Sequence, residues 1–112
     1  MRQGAVLVDI RSQDQRRAAG VVPGSYWFPR NVLEWRVDPA SSAAHPAVCD
    51  PHRRLILLCA QGYQTSLAAV VLQDLGFERA TDVIDGFEGW VASGMPVEPF
   101  DPARHEAEGG PA

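Results

Sequence analysis

The chain has 112 residues, 46% of them hydrophobic, and carries ten Lys and Arg against fourteen Asp and Glu for a net charge of −4. That is enough chain and enough apolar side chain for one packed domain, which excludes wholesale disorder. The basic residues cluster no further than the pairs Arg16-Arg17 and Arg53-Arg54, and no apolar run approaches the roughly 20 residues that span a bilayer, so neither a nucleic-acid surface nor a membrane anchor is expected. The opening Met1 to Asp9 is too short and too soon charged for a secretory signal. A soluble, cytoplasmic protein is the expectation. Its cysteines, Cys49 and Cys59, are too sparse for a disulfide framework.

Residues Ala5 to Ile10 form an apolar run, as in a strand buried on both faces of a parallel sheet. Ser12 with Gln15 three residues on has the capping-box spacing, opening a helix through Ala19 that stops at Gly20 as a left-handed cap. Val21-Val22-Pro23-Gly24 is a turn, and Tyr26 to Phe28 a brief strand ended by Pro29. Asn31 is placed to cap a short helix over Val32 to Arg36. Residues Val37 to Arg54 are loop-like, punctuated by Pro39, Pro46 and Pro51. Leu55 to Leu58 is the strongest buried-strand signal and runs straight into Cys59. A helix follows over Thr65 to Leu75, with an apolar face of Leu67, Val70, Val71 and Leu75. Thr81 to Ile84 is a strand, Asp85-Gly86 a turn, and Phe87 to Ala92 a helix stopped before Gly94. The tail from Asp101 has no apolar face and is expected to be disordered. Alternating strands and helices predict an α/β fold: a parallel sheet of about four strands with helices on both faces, in three layers.

The segment that carries chemistry is strand, Cys59, short loop, helix. The strand end places Cys59 at the carboxyl edge of the sheet, where open α/β folds bind ligands. The following helix directs its unpaired amides and positive dipole end back toward that edge. Gly62 lets the loop curl so that its N–H groups face inward around an anion, and Thr65 and Ser66 can add hydroxyls. A thiol so placed is held toward the reactive thiolate. C-x-x-G alone is a weak motif; its context strengthens it.

Four segments together resemble the rhodanese family along Leu7 to Val97. Leu7-Val8-Asp9-Ile10-Arg11 is similar to that family's L-I-D-V-R strand, and Gly20 to Ser25 to its G-H-I-P-G-A segment. Cys59 to Ser66, followed by Leu67-Ala68-Ala69, resembles its active-site loop and helix, and Asp85-Gly86-Phe87-Glu88-Gly89-Trp90 with Gly94-Met95-Pro96-Val97 its closing G-G-F-x-x-W…G-x-P-V. The resemblance implies a rhodanese-like domain over residues 1–100, with 101–112 as the tail. It implies a sulfurtransferase in which Cys59 takes sulfur from a donor as a persulfide and passes it to a thiol, cyanide or protein acceptor. Ala60, Gln61, Gly62, Tyr63, Gln64 and Thr65 would form the substrate loop around it. No metal or organic cofactor is implied, and the partners are a small sulfur donor and a thiol or protein acceptor.

Three departures from the family pattern stand out. Ala60, Gln61, Tyr63 and Gln64 are uncharged where the family often has Arg or Lys, which favours a persulfide donor over thiosulfate. Val21 replaces the usual His. The first match lies almost at Met1, without the preceding helix and edge strand of the family, so either the sheet is reduced or the natural start lies upstream. Asp9 and Arg11 are read as a buried pair supporting the site. Arg30 and Arg36 could supply the missing positive charge, although solvated surface roles are the commoner fate of arginine. Trp27, Trp35 and Trp90 are read as core or pocket wall. His45, Cys49 and His52 have ligand-like spacing, but only Cys59 or distant His105 could complete a zinc set and recruiting Cys59 would quench its chemistry, so no metal is expected; Cys49 is a candidate resolving thiol. A cysteine phosphatase needs C-x5-R; Thr65 stands in the Arg position, which disfavours that reading. The remaining alternative is a non-catalytic binding module.

Overall fold

The computed structural model describes residues 4–110. Four strands, β1 (Val6–Asp9), β2 (Tyr26–Trp27), β3 (Leu55–Leu58) and β4 (Thr81–Asp82), form one sheet in the order β2-β1-β3-β4, all parallel. The central register pairs Val6 with Leu55 and Asp9 with Leu58, which brings the ends of β1 and β3 to the same edge.

Side chains alternate across the sheet, as strand geometry requires. Val6, Val8, Leu55 and Leu57 face one layer, packed with Leu33, Val37, Ala68, Ala69 and Leu72. Leu7 and Leu58 face the other, packed with Phe87 and Trp90. The helices supplying those residues are α2 (Leu33–Val37), α3 (Tyr63–Asp74) and α4 (Gly86–Ala92). Burial on both faces explains why β1 and β3 are apolar runs rather than alternating ones. The three-layer α/β expectation holds.

Helix α1 (Gln13–Ala19) begins with the expected capping box: Ser12 Oγ accepts the Gln15 amide at 3.2 Å, and the Ser12 amide donates to Gln15 Oε1 at 3.0 Å. Its end differs from expectation. Gly20 has φ 94° and ψ −178°, outside the left-handed helical region, and Val21 beside it pairs antiparallel with Glu98. A Cβ at Gly20 would stand 2.7 Å from the Glu98 carbonyl, so both torsion and space select glycine.

Asn31 is not a helix cap. It lies inside a 3₁₀ turn, Arg30–Val32, and Val32 precedes α2 without a side-chain cap. Trp27 and Trp90 are buried, but Trp35 is exposed rather than part of core or pocket wall.

Helix α3 turns the opposite way from the apolar stripe read in its sequence. Leu67 is 72% and Val70 54% exposed, while Thr65, Ala68, Ala69 and Leu72 are buried. Both sets obey helical spacing, so periodicity alone did not choose between them. The inward set is mostly small, which brings the helix backbone close to β3.

The tail is not disordered over its described part. Asp101 caps α5 (Pro102–His105) by accepting the Ala103 amide at 3.0 Å. The His105 carbonyl accepts from Arg16 Nη1 at 2.9 Å and Gln13 Nε2 at 3.2 Å. The Gly109 amide donates to the Trp27 carbonyl on edge strand β2 at 2.8 Å. Buried Arg16 needs acceptors, and the tail supplies the His105 carbonyl beside Gln13 Oε1 from α1. Polar anchoring of this kind leaves no apolar periodicity in sequence. The last two residues of the expected tail lie outside the described residues.

Candidate active site

Cys59 follows directly on β3, and its carbonyl receives the first amide beyond the start of α4, Phe87 N–H, at 2.7 Å; Glu88 N–H holds the Ala60 carbonyl at 3.1 Å. With its carbonyls taken from behind, the loop turns its amides forward. Gly62, at φ 90°, begins α3 and donates its N–H to Cys59 Sγ at 3.1 Å. The Thr65 hydroxyl lies 3.5 Å from the same sulfur. Burial of Cys59 pushes its thiol pKa up, but the hydroxyl of Thr65 and the amides of Thr65, Gly62 and Gln64 outweigh it and hold the pKa below its ordinary value. Each of those donors favours the anion.

The sulfur is reached through a cavity of about 230 Å³ lined by Gln15, Cys59, Ala60, Gln61, Tyr63 and Gln64. The structure therefore divides the predicted loop. Ala60, Gln61, Tyr63 and Gln64 form the wall, whereas Gly62 and fully buried Thr65 lie beneath the sulfur. Ser66 donates to the Tyr63 carbonyl at 3.0 Å and adds no hydroxyl to the site. Among the described residues, no charged side chain lines the cavity around Cys59.

Asp9 and Arg11 form a buried bidentate pair, with Arg11 Nε to Asp9 Oδ1 at 3.0 Å and Nη2 to Oδ2 at 2.8 Å. Arg11 also stacks 4.0 Å over the Phe87 ring and donates to the Gly20 carbonyl at 2.9 Å. The pair thus braces α4, whose Phe87 amide holds the Cys59 carbonyl. Of the other candidate cations, Arg30 lines a neighbouring groove that shares Gln15 and Gln64 with the cavity, and it pairs with Glu34 at 2.5 Å. Arg36 pairs with Glu108 at 2.9 Å and lines neither the cavity nor that groove. His45 packs edge-on against Phe28 and its Nδ1 accepts the Ala47 amide. Cys49, a free thiol like Cys59, lies in the turn before β3, whereas Cys59 follows that strand. Arg53, in the next turn, donates to the carbonyl of Gly4 ahead of β1 and to that of Ala47, which ties the loop that holds Cys49 to the amino edge of the sheet.

Sequence reasoning missed three residues here. Gln15 reaches the cavity from α1, where its capping-box position points only to a helix cap. Asp82, at the end of β4, accepts the Thr65 hydroxyl at 3.1 Å. Gly86, at φ 61°, packs against the loop so closely that a Cβ would stand 2.7 Å from the Gly62 nitrogen and 2.8 Å from that of Gln61. The Asp-Gly-Phe sequence signalled a turn but not its target.

The rhodanese-like domain family matches residues 1–93. The thiosulfate sulfurtransferase GlpE of Actinobacillus pleuropneumoniae is 32% identical over 96 residues, which cover 86% of this chain and 80% of that protein. Among solved structures, a protein of unknown function from Rhodopseudomonas palustris, called a possible tyrosine phosphatase, superposes with a TM-score of 0.80 at 33% identity, covering 86% of this chain and 72% of that one. The rhodanese-like domain of an Anabaena protein superposes with a TM-score of 0.67 at 28% identity, covering 86% and 93%. With the parallel sheet and the matched segments in register, the chain belongs to the rhodanese-like domain family and is a rhodanese-type sulfurtransferase.

Proposed function

We propose that Cys59 is the sulfur carrier, taking sulfane sulfur from thiosulfate or a persulfide and passing it to a thiol, cyanide or a protein acceptor. The Cys59 thiolate attacks the outer sulfur of the donor; a new S–S bond forms as the donor's own S–S bond breaks, and sulfite or the donor thiolate leaves with the electron pair. The acceptor nucleophile then attacks the outer sulfur of the Cys59 persulfide and releases the thiolate. Splitting transfer into two displacements is covalent catalysis. The amides and hydroxyl that lower the thiol pKa also stabilise the persulfide anion.

The observation that carries this reading is a nucleophile-favouring cradle at Cys59 Sγ opening into a small cavity. Ala60, Gln61, Tyr63 and Gln64 serve as its wall, Gly62 and Thr65 as its floor, and Asp9 with Arg11 as its brace. The uncharged lining supports a persulfide donor over the thiosulfate dianion. A phosphatase reading finds Thr65 where a phosphoryl-clamping Arg is needed. Free thiols in a carrier suit a reducing compartment such as the cytoplasm.

Intact-mass analysis after exposure to thiosulfate, 3-mercaptopyruvate or a small persulfide tests the proposal. One added sulfur atom on Cys59, most complete with the persulfide, is expected. An unchanged mass with every donor would favour a non-catalytic binding module.

A further inference from the structure

The Thr65 hydroxyl faces more acceptors than it has protons. Its Oγ1 lies 3.1 Å from Asp82 Oδ2, 3.4 Å from the Gly62 carbonyl and 3.5 Å from Cys59 Sγ. A hydroxyl donates one hydrogen bond and accepts through its lone pairs. A thiol can donate to that oxygen, whereas a thiolate or persulfide can only accept from it. The direction of the Thr65 proton and the charge of the sulfur are therefore linked. With a thiol, Sγ–H points to Oγ1 and Oγ1–H points to Asp82. With a thiolate, Oγ1–H turns to the sulfur and Asp82 loses its donor.

We propose that Asp82 is a positioning residue that sets the charge state of Cys59 by competing for the Thr65 proton. Asp82 is half-buried at the carboxyl end of β4, and Thr65 is its side-chain hydrogen-bond partner among the described residues. The remaining elements around the loop offer no rival of this kind. At the end of β1, Asp9 and Arg11 neutralise each other. Arg30, beyond α1, is paired with Glu34. On the turn into α4, Asp85 and Glu88 are exposed and make no side-chain hydrogen bond to Cys59 or Thr65 among the described residues. The side chains from α1 and α3 at the cavity, Gln15, Tyr63 and Gln64, are uncharged. Asp82 thus restrains a thiolate that the amides of the loop favour, and the thiolate forms fully only when Thr65 gives up the carboxylate.

The proposal rests on Cys59 as the nucleophile, but it is read by alkylation, which reports sulfur charge whether or not sulfur is ever loaded. The two ideas therefore fail separately. In a Cys49→Ser background, iodoacetamide rates are measured against pH. Asp82→Asn keeps shape but is an uncharged, weaker acceptor, so the profile should move to lower pH and alkylation below the midpoint should quicken about threefold or more. Thr65→Val should move the profile to higher pH, and in that background Asp82→Asn should have no further effect. Thr65→Ser, which keeps the hydroxyl, should restore the Asp82 effect; Thr65→Ala replaces Val if near-UV circular dichroism shows misfolding. No shift with Asp82→Asn would overturn the proposal. An equal shift with and without the Thr65 hydroxyl would overturn it too, because the carboxylate would then act through space.

Discussion

The two cysteines of this chain stand in turns of opposite design. Around Cys49 the backbone is closed on itself: the His45 carbonyl accepts the amides of both Val48 and Cys49 at 3.0 Å, and Asp50 Oδ1 accepts the His52 amide at 2.9 Å. No hydrogen bond reaches the Cys49 sulfur among the described residues. Around Cys59 the pairing is inverted. The first amides of α4 hold the carbonyls of Cys59 and Ala60 from behind, which leaves the amides of the loop free to face the sulfur. The same side chain thus has no hydrogen-bond donor at its sulfur in one turn and a cradle of donors in the other, among the described residues. Reactivity here is a property of where the N–H groups point.

The strongest break of that comparison is to exchange sulfur for oxygen at each place. Cys59→Ser should abolish sulfur transfer, because an alcohol forms no persulfide, while Cys49→Ser should keep most of it; steady-state assays with a persulfide donor decide. Next, Gly86→Ala attacks the backing of the reactive loop without touching the sulfur. The new methyl meets the Cys59 carbonyl and two loop nitrogens at a positive φ, so a loss of about 2 kcal/mol or more is expected in urea unfolding. Activity should fall further than stability, since the loop must shift.

A milder test reads the cradle directly. With Cys49 removed, the alkylation midpoint of Cys59 should lie below the free-thiol reference of about 8.5, so the thiolate persists as pH falls toward neutrality. A midpoint at or above the reference would contradict a net gain from the amides and Thr65. The smallest effect concerns the cavity wall. Gln64→Arg should raise turnover of the thiosulfate dianion several-fold and that of a singly charged persulfide much less. A guanidinium at the exposed rim adds a charge-assisted hydrogen bond worth about 1 kcal/mol after screening. Equal gains for both donors would mean that charge is not what the wall lacks.

The sequence showed the part of the fold that rests on local rules. The apolar runs of β1 and β3, the Ser12–Gln15 capping box and the strand-to-loop placement of Cys59 all depend on neighbours a few residues away. What it hid depends on distant partners. The inward face of α3 was misread because Ala68, Ala69 and Leu72 compete with Leu67 and Val70 in any periodicity, and contact with β3 decides between them. The ordered tail was misread because it is held by Arg16, Gln13 and Trp27, some eighty or more residues away in sequence, through polar groups. At the site, Cys59 and its loop were legible in the spacing, yet Gln15, Asp82 and Gly86 were not. They arrive from α1, β4 and α4, and only the closed sheet brings them to one edge.

The central claim is that Cys59 alone carries sulfur, and one measurement tests it most directly. Wild type, Cys49→Ser and Cys59→Ser proteins are loaded with a small persulfide, weighed intact, treated with cyanide and weighed again. Wild type and Cys49→Ser should each gain one sulfur atom and lose it to cyanide as thiocyanate forms, while Cys59→Ser should gain none. Loading of Cys59→Ser to the level of wild type, or its loss only when Cys49 is replaced, would contradict the account.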